Sequence, residues 1–327
     1  MTYSTGGLIQ ATDYNGFVST TVGANINATM NTTYGQPALS TVAVAGTVTA
    51  TQWATLNANI SSMASHQGTS ITSRSNPVAG NIITALANVN ADITSCYNNR
   101  YNAATQGTQY TAWTGTASFT AGIGNVGLAN THGKWTATWT SNVTFANTTA
   151  ASNFFNAGGL VKIQYSKTST GTPADTEWNA FIANVCGTIY VTSTGASKTL
   201  NGTTYTGTTK IGGSGTPTTL TTSTGFAQLT SSPTTIYKQF DSGTAYSSNY
   251  LQTNATVSGA VLTLTTTWYD NGDPLPGAVT TLTGGTATTG ITFGTAPVTI
   301  VTYIPPETTY LANVWGTPTV SVSCANT

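Results

Sequence analysis

The chain has 327 residues, 39% of them hydrophobic, which is enough apolar material for one large domain or two. Only 5% are Asp, Glu, Lys or Arg, against roughly 25% in an ordinary soluble protein, and eight basic and eight acidic side chains cancel to a net charge of zero. Nucleic acid is excluded as a partner because counterion release needs clustered Lys or Arg, and the basic residues lie scattered from Arg74 to Lys238. The same weak field, with no apolar run of about 18 residues, excludes insertion into a membrane.

The surface must therefore be built from Thr, Ser, Asn, Gln and Gly. Seven Trp, 15 Tyr and nine Phe, together with many β-branched residues, separate this chain from disordered ones and favour β structure. A net charge of zero does little to prevent self-association, which suits a component of a fixed assembly. Cys96, Cys186 and Cys324 are widely spaced and odd in number, so they read as buried free thiols and not as disulfides or a zinc site. The sequons Asn27-Ala28-Thr29 and Asn142-Val143-Thr144 are chance products of a chain rich in Asn and Thr. The start lacks the basic residues and apolar core of a secretion signal, so export by the general pathway is not expected.

The spacing predicts a first helix over 6–28, with Thr12 as N-cap and Tyr14, Phe17, Val18, Val22 and Ile26 on one face. Gly35-Gln36-Pro37 ends it, and 39–48 reads as an extended arm. Thr49 and Gln52 have the spacing of a capping box, so a helix should start there with Trp53, Leu56, Ile60 and Met63 as its stripe and Gly68 as its stop. After a loop holding Pro77 and Gly80, a further helix is expected over 81–104, its stripe being Ile82, Ile83, Leu86, Val89, Ile93 and Tyr97. The two stripes predict an antiparallel hairpin, with the first helix as a third member.

Beyond about Gln106 the pattern changes to short alternating runs between Gly, Asn-Gly and Pro signals. Strands are expected over 134–145, where Trp135, Ala137, Trp139, Val143 and Phe145 share a face, and over 160–167. The latter follows a corner at 153–165: Phe154-Phe155 precede Gly158-Gly159, Gly158 takes the positive φ that stops a helix, and Val161, Ile163 and Tyr165 alternate with Lys162 and Gln164. At least one of the two phenylalanines should be buried against the sheet. Strands at 188–193 and 204–211 are expected to flank an Asn201-Gly202 turn, followed by 225–229, 235–240, 250–257, 261–269, 278–282, 291–293 and 298–304. One helix interrupts them, with Thr172 as N-cap, Pro173 at its first position, Asp175 and Glu177 complementing its dipole, and Trp178, Phe181, Ile182 and Val185 as its stripe before Gly187. The expected class is α+β: an N-terminal helical hairpin or three-helix region over 1–105, for docking or oligomerisation, then a larger antiparallel β-sandwich or barrel-like domain over 106–327 with two short helices.

Motifs with chemical potential are few. Gly122-Ile123-Gly124-Asn125-Val126-Gly127 fits the glycine pattern of dinucleotide sites only formally, since no βαβ unit surrounds it. His66 and His132 have no Cys, Asp or Glu neighbours to complete a metal or catalytic cluster, and His66 reads as a cation at a helix C-terminus. Gly213-Ser214-Gly215 lacks the spacers of a nucleophile elbow. Asp270-Asn271-Gly272-Asp273 could offer oxygen ligands to calcium, but Asn271-Gly272 is first of all a hairpin turn. No acid couple for glycoside hydrolysis stands out. No catalytic, cofactor-binding or metal residue is assigned, and no cofactor is expected.

Four stretches in order are similar to a known family. They are Gly6-Gly7-Leu8-Ile9-Gln10-Ala11-Thr12-Asp13-Tyr14-Asn15; Val48-Thr49-Ala50-Thr51-Gln52-Trp53 with His66-Gln67; Phe154-Phe155-Asn156-Ala157-Gly158-Gly159; and Thr309-Tyr310-Leu311-Ala312-Asn313-Val314-Trp315-Gly316-Thr317-Pro318. Together they resemble virion structural proteins, tail or tail-fibre proteins, of tailed marine and cyanobacterial bacteriophages. That resemblance implies a place in the virion, in the tail or baseplate, after assembly in the host cytoplasm, and it supplies no catalytic residue. The expected function is a non-enzymatic structural subunit whose partners are other virion proteins and copies of itself, with unpaired strand edges as one means of contact. The alternatives are a head-decoration protein and a receptor- or glycan-binding tail-fibre protein. In the second of these, aromatics such as Trp268 and Tyr269 would stack on host sugars, although core packing is the stronger reading of that pair.

Overall fold

The computed structural model describes residues 10–19, 23–76, 86–105, 114–118, 135–167, 173–242, 246–271 and 298–326. Helix α1 (Ala11–Val18) is shorter than the periodicity suggested, and its N-cap is Gln10, not Thr12. The reason is local: the Asp13 carboxylate accepts from the Gln10 backbone N–H at 3.2 Å, fixing the start two residues earlier. Tyr14, Phe17 and Val18 are buried, while Ile26 is buried outside α1, just ahead of a π-helical turn at Ala28–Thr33. Asn, Thr and Gly are poor helix formers and do not carry the helix further.

Helix α2 (Ala50–Gln67) follows its capping box. Thr49 Oγ1 accepts from the Gln52 N–H at 3.2 Å, Gln52 Oε1 accepts from the Thr49 N–H at 2.8 Å, and Gly68 closes the helix in the left-handed region at φ 70°. Trp53, Leu56, Ile60 and Met63 are all buried. Helix α3 (Leu86–Asn98) buries Val89, Ile93 and Cys96. Tyr97, expected in that stripe, is half-buried under the Arg100 guanidinium, because a ridge stepping by four and then three ends on Cys96. The Asp92 carboxylate accepts from the Thr72 N–H and pairs with Arg74, tying α3 to the segment after α2. Helices α1 and α2 both lie against α3.

The rest is a larger antiparallel β structure with short helices, so the chain is α+β. Its elements run β1 (Thr114–Ser118), β2 (Trp135–Thr144), α4 (Thr148–Asn156), β3 (Leu160–Ser166), α5 (Pro173–Ala180) with a π-helical continuation (Phe181–Cys186), β4 (Thr188–Val191), β5 (Ser197–Leu200), β6 (Thr203–Thr206), β7 (Thr208–Ile211), β8 (Thr219–Leu220), β9 (Thr234–Phe240), β10 (Tyr250–Ser258), β11 (Val261–Asp270), β12 (Val298–Ile304) and β13 (Thr319–Asn326). One sheet has the order β1-β12-β3-β4-β7, the other β13-β2-β11-β10-β9-β8, and β5-β6 form a separate hairpin. The sheets face each other: Trp268 Nε1 of β11 donates to Thr299 Oγ1 of β12 at 3.0 Å, and the Tyr165 ring of β3 contacts those of Tyr237 and Trp268. Their margins also meet, with β1 beside β13 and β7 beside β8.

Several strands differ from expectation. The Asn201-Gly202 turn joins β5 to β6 and not 188–193 to 204–211, because Gly207, at φ 41°, breaks the latter run into β6 and β7. Residues 225–229 hold a 3₁₀ turn (Phe226–Gln228) whose Phe226 ring stacks on Phe155 at 4.5 Å. Strands β1 and β13 fall outside the expected runs, although Val320, Val322 and Cys324 alternate with Thr319, Ser321 and Ser323. The runs expected at 278–282 and 291–293, and Thr172, lie outside the described residues.

The corner between α4 and β3 is the centre of this core. Asn147 Oδ1 caps α4 by accepting from the Ala150 N–H at 2.8 Å, and the helix ends where Gly158, at φ 98°, lets the Gly158 and Gly159 N–H groups donate to Phe155 and Phe154 carbonyls. Phe154 and Phe155 are both buried, in a cluster with Phe145 and Phe226. Strand β3 departs from simple alternation: Leu160, Val161, Lys162 and Ile163 are all buried. Its second face is covered by a small core of Ala103, Leu160, Leu200, Tyr205 and Ile304, so no solvent side remains there. Replacing Phe154 or Phe155 by Ala should cost about 3–5 kcal/mol each in denaturant unfolding, with the double variant failing to fold. Gly159→Ala, whose Cβ would collide with the Phe154 ring, should cost about 1–3 kcal/mol. A double Phe variant with an unshifted midpoint would show that the core is centred elsewhere.

Candidate functional site

Two places gather the residues singled out above. The first is internal and lies around the loop Tyr34-Gly35-Gln36. Gln36 pairs with the C-terminal stretch through both ends of its amide, Nε2 donating to Ala312 O at 3.0 Å and Oε1 accepting from the Ala312 N–H at 2.9 Å. Gly35 takes φ 71° and sits so close to the Asn153 side chain that a Cβ there would collide with it and crowd Val314. Tyr34 OH accepts from Gln67 Nε2 at 2.8 Å, its ring meets His66 edge-on, and His66 Nε2 donates to Ala157 O at 3.1 Å. The end of α2, the Phe154–Gly159 corner and the 309–318 stretch thus all converge on one loop, with Leu311 and Trp315 buried behind it.

His66 is not the helix-end cation that the sequence suggested. It is 1% exposed, and burial drives its pKa down to about 4, so the imidazole is neutral at pH 7 with the proton on Nε2. Among the described residues no group of three or more His, Cys, Asp or Glu could hold a metal ion. Asp270 is buried and accepts from Trp178 Nε1 at 2.8 Å, which anchors α5 to the end of β11. Asn271 is held between the Asn249 side chain and Tyr269 OH. Gly272, Asp273, His132 and the 122–127 glycine pattern lie outside the described residues. Ser214 Oγ donates to Asn184 O at 2.9 Å, a loop contact. Lys198, not singled out by the sequence, is buried with Nζ donating to Thr192 Oγ1 and Thr194 O, and burial lowers its pKa to about 8. His66, Asp270, Asn271, Ser214 and Lys198 are each engaged in contacts within the fold.

The second place is the outer face of the six-stranded sheet. Burial alternates strictly along β11, so Thr263, Thr265, Thr267 and Tyr269 face outward while Leu264, Thr266, Trp268 and Asp270 face the core. Trp268 and Tyr269 are therefore divided: the tryptophan is fully buried and the tyrosine, half-buried, is on the outer face. The register puts Thr138, Thr267, Gln252 and Lys238 in one row across β2, β11, β10 and β9, and Thr140, Thr265, Asn254 and Thr235 in the next. Side chains link across it, Thr263 Oγ1 to Asn142 Oδ1 at 2.7 Å and Thr235 Oγ1 to Asn254 Oδ1 at 2.8 Å. Lys238 is the only charged side chain among these outward residues of β2, β9, β10, β11 and β13.

At one end of this face Phe240, Tyr250 and Tyr269 stand in register across three strands. The Tyr250 and Tyr269 rings stack at 4.8 Å, Phe240 meets Tyr250 edge-on at 5.4 Å, and Lys238 Nζ lies over both Tyr250 and Phe240. The period-two pattern of 250–257 and 261–269 marks which residues face outward, but only the pairing of three strands brings these rings together. The face offers hydrogen bonds and aromatic stacking.

Comparison with known protein families, with characterised proteins and with solved structures finds no match to this chain in any of the three.

The neutral His66 gives the junction a pH response. Because its folded pKa lies below the ordinary value near 6.5, protonation favours the unfolded chain. Its contribution is complete above about pH 6.5 and declines as pH falls toward about 4. His66→Gln retains an N–H donor for Ala157 but does not titrate. Between pH 7 and pH 4, wild type should lose up to about 3 kcal/mol more in urea unfolding than His66→Gln; parallel curves would refute a buried neutral histidine.

Proposed function

We propose that the chain is a non-enzymatic structural subunit of a bacteriophage virion, belonging to the tail or baseplate and working by packing against other virion proteins and copies of itself. The observation that carries this reading is the convergence at the Tyr34–Gln36 loop. The second, third and fourth of the stretches that resemble virion proteins meet there, so the resemblance follows a three-dimensional junction and is not a scatter of separate motifs. Two further features support it. Among the described residues His66, Lys198 and Asp270 are engaged in holding the fold, and a broad outer sheet face carries hydroxyls and amides with one charge. Such a face packs against a neutral neighbour without desolvating ions.

A second reading, a glycan-binding tail-fibre protein, is favoured by the surface row Phe240-Tyr250-Tyr269. Gold-labelled antibody against the chain, applied to purified particles and viewed by electron microscopy, should decorate the tail or baseplate. Decoration of the capsid would make it a head protein, and particles free of both label and chain would end the virion reading.

A further inference from the structure

We propose that the chain associates with itself head to tail, the apolar tip at residues 42–46 of one copy docking on the exposed stretch 310–314 of the next. Among the described residues the exposed large hydrophobic side chains are Val44 at 86%, Tyr310 at 41%, Val314 at 38% and Ile211 at 37%, so three of the four fall on these two segments. Val44 stands between Ala43 and Ala45, both exposed, and Ala312 and Asn313 are exposed between Tyr310 and Val314. A single exposed apolar residue needs no explanation on a protein surface. An apolar tip that the rest of the fold holds rigid does.

Two side-chain amides present the tip. Asn15 of α1 pairs with both backbone groups of Val42, Nδ2 donating to the carbonyl at 2.8 Å and Oδ1 accepting from the N–H at 2.7 Å. Asn27 holds Leu39 in the same way, at 2.9 and 2.8 Å. The turn closes with the Gly46 N–H donating to Ala43 O at 2.8 Å, and Ala45 takes φ 64°, a left-handed conformation that L-residues seldom adopt. Such a preordered knob loses little freedom on docking. The receiving stretch is equally fixed: Leu311 and Trp315 are buried beneath it, Gln36 pairs with Ala312, and Asn313 Oδ1 accepts from the Gly316 N–H at 2.9 Å. Charge selects a second copy as the occupant. The sequence has no Asp, Glu, Lys or Arg between Asp13 and Arg74, nor any after Glu307, so neither surface calls for a counter-charge on its partner. Tip and receiving stretch belong to one chain, yet Val44 is left open within it, so the contact is made between copies and repeats as a heterologous interface. The proposal rests on the virion reading only for its setting, since without this contact the chain could still pack against other virion proteins.

The test uses the full chain in sedimentation equilibrium at concentrations rising to about 1 mM, the range in which a small interface acts. Wild type should form a continuing series of oligomers. Val44→Asp and Tyr310→Asp should each weaken association by about tenfold or more, the loss expected when a charge replaces an apolar anchor. Mixed together, the two variants should recover a one-to-one pair that grows no further, because one keeps the receiving stretch and the other keeps the tip. The melting transition of each should stay that of wild type, since both positions are exposed. If either Asp variant melts early, Val44→Cys and Val314→Cys, in chains carrying Cys324→Ser, decide the matter. On mild oxidation the mixture should cross-link several times faster than either variant alone. The proposal is overturned if wild type stays monomeric throughout, if a folded Asp variant associates as wild type does, if the mixed Asp variants yield no pair, or if the mixed cysteine variants cross-link no faster than each alone.

Discussion

The fold depends on a reciprocal amide pair that joins positions almost three hundred residues apart. Gln36 meets the backbone of Ala312 through both its donor and its acceptor, and this brings the final stretch of the chain against the loop that follows the first helices. A single buried glutamine is a demanding device, since losing one partner leaves a desolvated amide with nothing to bond. The rest of the junction is built to the same tolerance. Gly35 has no room for a methyl group beside Asn153, and the His66 ring is fixed between Tyr34 and the Ala157 carbonyl. The helices and the sandwich share one apolar core that runs from Tyr14 and Trp53 to Trp268 and Trp315, and this polar junction determines how the two parts of that core meet.

What the amino-acid order disclosed was local. Thr49 and Gln52 specify the start of α2 because a capping box needs only four consecutive residues, and Gly158 ends α4 because a positive φ is a property of one residue. What it withheld was non-local. Lys162 is buried because a hairpin some forty residues later and Ala103 sixty residues earlier close over β3, and alternation along β3 has no knowledge of either. His66 looked like a cation for its helix end until burial made it neutral. The surface aromatic row was hidden for the same reason, since Phe240, Tyr250 and Tyr269 become neighbours only through two strand pairings.

A chain with so few charges must satisfy its interior with hydroxyls. Thr253, Thr266 and Thr299 are buried in the strands of the sandwich, with Thr253 bonded to Thr266 and to Tyr165, and Thr299 to Trp268. The Tyr165–Thr253 and Trp268–Thr299 bonds cross between the sheets as ion pairs do elsewhere, but they carry no Born penalty and place no charge in a low-dielectric medium. Threonine is also a strong strand former, so one residue type serves backbone preference and internal hydrogen bonding together.

The meeting of the two sheets along both margins has a consequence for any larger structure that contains this chain. With β1 beside β13 and β7 beside β8, the ends of the two sheets lie near each other, while among the described residues no ladder hydrogen bonds join them. Contact through the outer face of the six-stranded sheet would rest largely on threonine, asparagine and glutamine. The strength of such contacts owes almost nothing to Coulomb forces, and Debye screening has little in them to weaken. A lattice joined this way keeps its cohesion from dilute buffer to brine, because salt acts on charges and these faces have next to none.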